Sequence, residues 1–222
     1  MPLAVATYNV HGCADVSRTA AVLRALDADV IALQELRWKP ADALHVLDDL
    51  AARLGCTPLA GPTLLRPDGH YGNALLTRLP VLEVKPVDLS VPGREPRGAL
   101  AAVLRTSGGP LTVIATHLGL APGERRQQMQ RVLALVHRAG KPVVLLGDLN
   151  EWFLWGRPLR WLRRHFGRMP APATFPARLP LFALDRIWVE PRRLLERIEV
   201  HSAAPAKKAS DHLPLVATLA LN

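Results

Sequence analysis

Close to the C-terminus of the 222-residue chain, Ser210-Asp211-His212 sets a carboxylate beside an imidazole, just before the apolar run Leu213-Pro214-Leu215-Val216. Neighbours within a strand point to opposite faces, so Asp211 and His212 can serve one site only where the backbone turns into the strand. Ionisable groups beside a buried strand are costly unless a metal, a partner charge or hydrogen bonds compensate them. Other apolar runs offer such partners at their ends. Asn9 follows Leu3 to Tyr8, Gln34-Glu35 follows Val30 to Leu33, and Asn73 opens the run to Arg78. His117 closes Val113-Ile114-Ala115-Thr116, Gly147-Asp148-Leu149-Asn150 closes Val143 to Leu146, and Asp185 lies in Leu184-Asp185-Arg186-Ile187-Trp188.

These residue types suit the hydrolysis of a phosphoester. Glu35, Asp211 and Asn9 are hard oxygen donors fitted to Mg²⁺, with Mn²⁺ as the alternative, and soft sulfur ligands are absent from these motifs. Asp148 can orient or deprotonate a water, and Asn150 can hydrogen-bond that carboxylate or a phosphate oxygen. His212 could stabilise charge on a pentavalent phosphorus, with Asp185 fixing its tautomer. No activated Ser or Cys nucleophile stands out, which leaves a metal-assisted water as the attacking group. Arg97, in Arg94-Glu95-Pro96-Arg97-Gly98, is a candidate to grip phosphate bidentately, and Asn73 is a candidate substrate contact. His11 stays open between a role in the site and a plain surface position.

Positioning these groups requires strands that end together. The pattern predicts strands at Leu3 to Tyr8 and Val30 to Leu33, with a helix from Ser17 to Leu26 between them and a second helix from Ala41 to Leu54. A meander follows: Asn73 to Arg78, Val81 to Leu89, Gly98 to Arg105 and Leu111 to His117, separated by turn signals. Pro122 opens a helix striped by Met129, Val132, Leu133 and Val136, which Gly140 ends before the buried strand Pro142 to Leu146. Strands near Leu184 to Val189, Ile198 to His201 and Leu213 to Leu221 complete the pattern. This order fits mixed sheets covered by helices, in one domain spanning residues 1–222.

The formal charge of +9 favours an anionic substrate or partner, although lysine is scarce and arginine abundant, a skew that codon usage alone would also produce. Two cysteines, Cys13 and Cys56, without CxxC spacing, are expected as reduced thiols. The first residues lack the basic start and apolar core of a signal peptide, and no run is long enough to span a bilayer, so a cytoplasmic protein is expected. After Asn150, tryptophans including Trp155 and Trp161 mix with Arg157, Arg160, Arg163, Arg164 and Arg168, and Pro158 opens a short amphipathic helix. This segment could stack bases, lie on an anionic membrane, or cap the fold with its aromatics buried. Trp155 and Trp161 are the candidate substrate contacts within it.

Taken together, Tyr8-Asn9-Val10-His11-Gly12, Gln34-Glu35, Tyr71-Gly72-Asn73-Ala74-Leu75-Leu76-Thr77-Arg78, Thr116-His117-Leu118, Gly147-Asp148-Leu149-Asn150, Leu184-Asp185-Arg186-Ile187 and Ser210-Asp211-His212 resemble the ordered motifs of the endonuclease/exonuclease/phosphatase superfamily. The resemblance implies a four-layer α/β sandwich, two mixed and mainly antiparallel sheets face to face with helices outside, as in deoxyribonuclease I. It also implies Glu35 as principal metal ligand with Asn9 and Asp211, Asp148 on the attacking water, Asn150 and His117 on the phosphate, and Asp185 paired with His212. His11 replaces an acidic residue, and His117 a tyrosine, of the abasic-site nucleases, which weighs against abasic DNA. The implied activity is a Mg²⁺-dependent phosphodiesterase, expected as a monomer, acting on nucleic acid, a phospholipid or another phosphodiester. A phosphomonoesterase and a catalytically silent phosphate-binding module are the alternatives.

Overall fold

The computed structural model describes residues 2–38, 45–66 and 69–221. The first half of the chain supplies β1 (Leu3–Gly12), α1 (Val16–Leu26), β2 (Val30–Trp38), α2 (His45–Leu54), β3 (Thr57–Arg66) and β4 (Gly69–Thr77). After it come β5 (Val81–Asp88), β6 (Gly98–Thr106), β7 (Gly109–His117), α3 (Pro122–Arg138), β8 (Val143–Asp148) and α4 (Arg157–Phe166). The chain closes through β9 (Asp185–Glu190), β10 (Leu195–Val200), α5 (Ala206–Ala209) and β11 (Leu215–Leu219). One sheet has the order β10-β11-β1-β2-β4-β3 and the other β5-β6-β7-β8-β9.

Both sheets are built alike at their centres. Parallel pairs, β1 with β2 and β7 with β8, are each bridged by a helix and flanked by antiparallel strands. Strict alternation then sorts the side chains into three cores. Val5, Ala32, Leu75, Val113, Val144 and Ile187 meet in the gap between the sheets. Tyr8, Ile31, Leu33 and Leu76 pack beneath α1 and α2, while Ile114, Leu145 and Trp188 pack beneath α3 and α4. The result is the expected four-layer sandwich. A fully buried leucine contributes ~1.5–3 kcal/mol, so three such cores give a stiff scaffold for whatever the strand ends carry.

The helices begin and end on local signals. Asp15 accepts from the Arg18 amide at 2.9 Å to cap α1, and Pro122 sits at the start of α3, where its missing N–H costs nothing. Of the helix expected over Ala41 to Leu54, residues 41–44 lie outside the described residues and the remainder is α2. β3 was not expected, because Pro58, Gly61 and Pro62 interrupt it. It forms at the sheet edge, where a strand tolerates prolines that remove ladder donors.

Gly147 decides where β8 delivers its last residue. Its φ is +143°, and a Cβ there would overlap the Thr116 carbonyl oxygen on β7. Gly147→Ala is therefore expected to cost at least ~2 kcal/mol in urea unfolding. A loss below a few tenths would mean that the close β7–β8 approach beside Asp148 is not required.

Candidate active site

Register brings three polar groups into line. On the second sheet His117 pairs with Asp148, and Asp148 with Asp185, as direct cross-strand neighbours. All three share parity with residues of the inter-sheet core, so they point into the gap at its open end. Asn9 and Gln34 do the same from the first sheet, where they are also register partners. Each parallel pair thus ends in polar residues at one edge of the sandwich.

Glu35 needs a further device. Its parity would send it toward the helices with Leu33, but β2 changes register between Leu33 and Leu36 and Glu35 takes a φ of 58°. This bulge turns the carboxylate to the Asn9 side. His11 and Asn150 also adopt positive φ, 43° and 48°. Backbone strain of ~1–3 kcal/mol per residue is concentrated at this edge, a pattern common at functional sites.

Asn9 joins the sheets. Its Nδ2 donates to Glu35 Oε1 at 2.9 Å and to Asp148 Oδ2 at 3.1 Å, while its Oδ1 accepts the His11 amide at 3.1 Å. Two carboxylates require the donor end of the amide and the backbone N–H requires the acceptor end, so the side chain has one orientation. Asp148 Oδ1 accepts the Asn150 amide at 2.8 Å. Burial, then the Asp185 charge, raises the Asp148 pKa against the opposing pull of His212.

His212 comes from the turn before β11. Ser210 Oγ holds this turn, donating to Asn9 O at 2.7 Å and accepting the His212 amide at 3.2 Å. Asp185 Oδ2 lies 2.8 Å from His212 Nδ1 and accepts from Thr174 Oγ1 at 2.6 Å. His212 Nε2 lies 3.8 Å from Asp148 Oδ2. Burial works against protonation, but the charge and hydrogen bond of Asp185 prevail and hold the imidazole up at about 9. His117 behaves oppositely. Burial, then the Arg97 and His212 charges, pushes it well below its ordinary value, so it is neutral.

Arg97 does not stand free to grip phosphate as expected. It is buried, with Nη1 donating to His117 Nδ1 at 2.8 Å and Nη2 3.0 Å from Glu95 Oε1, so it supports His117 from behind. Asn73 likewise turns into the inter-sheet gap and donates to Gly98 O at 3.0 Å. Trp161 packs on α4 against the outer core, whereas Trp155 is exposed in the loop after β8. Asn150 Nδ2 donates to Leu118 O at 2.9 Å and lies 3.0 Å from His117 Nε2. Thr174 was not foreseen, since a lone threonine in a proline-rich stretch carries no signal of its partner. His11 sits between carboxylates, its Nδ1 3.6 Å from both Glu35 Oε2 and Asp211 Oδ1.

The donor chemistry fits a divalent cation. Glu35 and Asp211 turn oxygens toward one side chain at the partly exposed rim, and Asn9 Oδ1 keeps a second lone pair. Asp148, Asp185 and His212 also each bring a potential ligand atom within 4.8 Å of the others. There, however, His212 Nδ1 and Asp185 Oδ2 already satisfy each other.

Layer order and site edge define an α/β sandwich of the deoxyribonuclease I type. A model of the Endonuclease/Exonuclease/phosphatase family matches residues 6–212, and the chain belongs to that family, which groups phosphoester hydrolases. The uncharacterized protein YbhP of Escherichia coli (strain K12) is 32% identical over 228 residues, covering 90% of this chain and 86% of YbhP. Among solved structures, an endonuclease/exonuclease/phosphatase from Beutenbergia cavernae DSM 12333 superposes with a TM-score of 0.80 at 24% identity, over 98% of this chain and 71% of that one. TDP2 of D. rerio complexed with single strand DNA product gives 0.75 at 20% identity over 99% of each chain. The mannosyl-6-phosphatase Bt3783 of Bacteroides thetaiotaomicron VPI-5482 gives 0.77 at 18% identity over 98% of this chain and 99% of that one. These structural likenesses establish the fold.

Folding raises the His212 pKa from 6.5 to about 9. Protonated His212 therefore stabilises the fold fully below about pH 6.5, and this stability is lost as the pH rises through about 9. In metal-free Asp185→Asn protein the imidazole is expected to titrate much closer to 6.5 by NMR. An unchanged titration would remove Asp185 as its cause.

Proposed function

We propose that the chain is a divalent-cation-dependent phosphodiesterase that hydrolyses its substrate by in-line attack of water. The carrying observation is the continuous contact from Glu35 through Asn9 to Asp148, with His212 and Asp185 beside it. Glu35, Asn9 and Asp211 would hold Mg²⁺ or Mn²⁺, which supplies charge neutralisation at the phosphoryl oxygens.

The remaining work falls to this chain's own groups. Asp148, made more basic by burial, takes the proton of the attacking water as the water oxygen bonds to phosphorus; the ester P–O bond opposite breaks, and the departing alkoxide is protonated by solvent. Protonated His212 keeps Nδ1 on Asp185 and directs Nε2–H at the phosphoryl oxygen that gains charge. Neutral His117, backed by Arg97, and the Asn150 amide position the phosphate. A diester is favoured over a monoester because Arg97 is already engaged and His117 is uncharged. With His212 balanced by Asp185, these side chains offer the phosphate little surplus positive charge, which matches a monoanion better than a dianion.

Purified protein should cleave a chromogenic phosphodiester with Mg²⁺ or Mn²⁺ and lose turnover in EDTA. Asp148→Asn and His212→Gln should each lower kcat by at least ~10²-fold, and together by little more, as groups acting in one transition state do. Wild-type rates in both single variants would sink the assignment, and full activity in EDTA would remove the cation.

A further inference from the structure

Among the described residues, eight of the eleven exposed large apolar side chains lie on three loops, and the other three, Leu65, Leu82 and Val84, lie on β3 and β5. The loops follow β7, follow β8 and precede β9, the strand ends that carry His117, Asp148 and Asp185. Their tips present Leu120, Phe153, Leu154, Trp155, Leu179 and Leu181, with Trp155 73% and Leu120 and Leu179 each 66% exposed. No transmembrane helix accompanies them among the described residues.

The platform is built. Arg125, almost fully buried, places Nε and Nη2 3.4 Å from the two Glu151 oxygens and donates through Nη1 to the carbonyls of Gly119 and Leu120. One buried ion pair thus fixes both the Leu120 loop and the Phe153–Trp155 loop. Gly156 is required there, because a Cβ would overlap the Glu151 carboxylate beneath it. Trp152 stacks edge-on against Phe182 at 5.0 Å and Phe175 at 5.6 Å, and Phe175 lies 4.8 Å from the His212 ring. The apolar surface therefore begins one ring away from the phosphate-facing imidazole.

We infer that this platform docks on the headgroup region of an anionic lipid bilayer, so that the site takes its phosphoester from a membrane phospholipid. The substrate half of this inference rests on the phosphoesterase reading. Leucines have no flat face for stacking a base, so a single-stranded nucleic acid would recover little from Leu120, Leu154, Leu179 and Leu181. A bilayer interface removes them from water and accommodates tryptophan at the headgroup level. Exposed Arg157, Arg160 and Arg178 flank the apolar tips, and the net charge of +9 complements anionic lipid.

The test is co-sedimentation of the full chain with phosphatidylglycerol/phosphatidylcholine vesicles, with turnover of a soluble chromogenic phosphodiester measured in parallel. Wild-type protein should bind these vesicles, and Leu154→Asn with Leu179→Asn should weaken binding at least ~10-fold at an unchanged melting temperature. Asparagine leaves the net charge intact, so undiminished binding by the variant would reduce the interaction to charge alone and overturn the docking surface. Absence of vesicle binding alongside tight binding of a single-stranded oligonucleotide would overturn it in favour of nucleic acid. Turnover without vesicle binding would remove the docking and leave the phosphodiesterase. Vesicle binding without turnover of any ester would leave the docking and remove the enzyme.

Discussion

At the seam between the sheets, buried Asp148 and half-buried Glu35 stand on either side of the Asn9 amide, which joins them. One side chain on β1 donates to Glu35 in its own sheet and to Asp148 in the other. Burial and the Asp185 charge both favour the protonated form of Asp148, and the Asn9 hydrogen bond opposes them. The second compensation is His212, whose cationic form is maintained by Asp185. Fold and chemistry meet here, because the groups that make the seam tolerable are also those suited to handling a phosphoryl group. Removing one partner of a buried charge pair typically costs ~3–5 kcal/mol, so the arrangement is stiff as well as polar.

Much of this was legible in the sequence. Apolar runs that stop at a polar residue marked the strand ends holding Asn9, His117 and Asp148, whereas the inter-sheet face that they share became visible only in the register of the assembled sheets. The order of motifs then implied the sandwich. Less legible was anything decided by backbone departures or long-range direction. The Glu35 bulge depends on one left-handed residue that no spacing announces. Arg97 and Asn73 lie near the site in sequence logic, yet their directions are set by partners on other strands, His117 and Gly98. β3 hid behind its prolines because edge position is a property of the assembled sheet. Arg125 and Glu151 lie 26 residues apart on α3 and the loop after β8, with no motif to link them, and only the fold buries them together.

Charge is distributed with the same logic. Of the buried cations, Arg97 is engaged by Glu95 and His117 and Arg125 by Glu151, whereas Arg186 donates to the Ala183 carbonyl and burial lowers its pKa to about 10; most of the surplus that makes the chain basic resides on its surface. On the proposed reading, long-range attraction of anions falls to these surface residues and local recognition of a phosphate to the seam. Arginine substitutions on the surface should alter encounter and salt dependence, while changes at the seam alter chemistry. Cys13 and Cys56 are free thiols, Cys13 within the core under α1 and Cys56 packed against that core.

The central claim is that the seam directs a single in-line displacement by water, with no covalent intermediate on the protein. The most direct measurement is the stereochemical course at phosphorus, using a chiral phosphorothioate diester cleaved in ¹⁸O-labelled water. One displacement inverts the configuration, and inversion is the predicted result. Retention would indicate two displacements through a phosphorylated side chain and would contradict the roles given to Asp148 and His212.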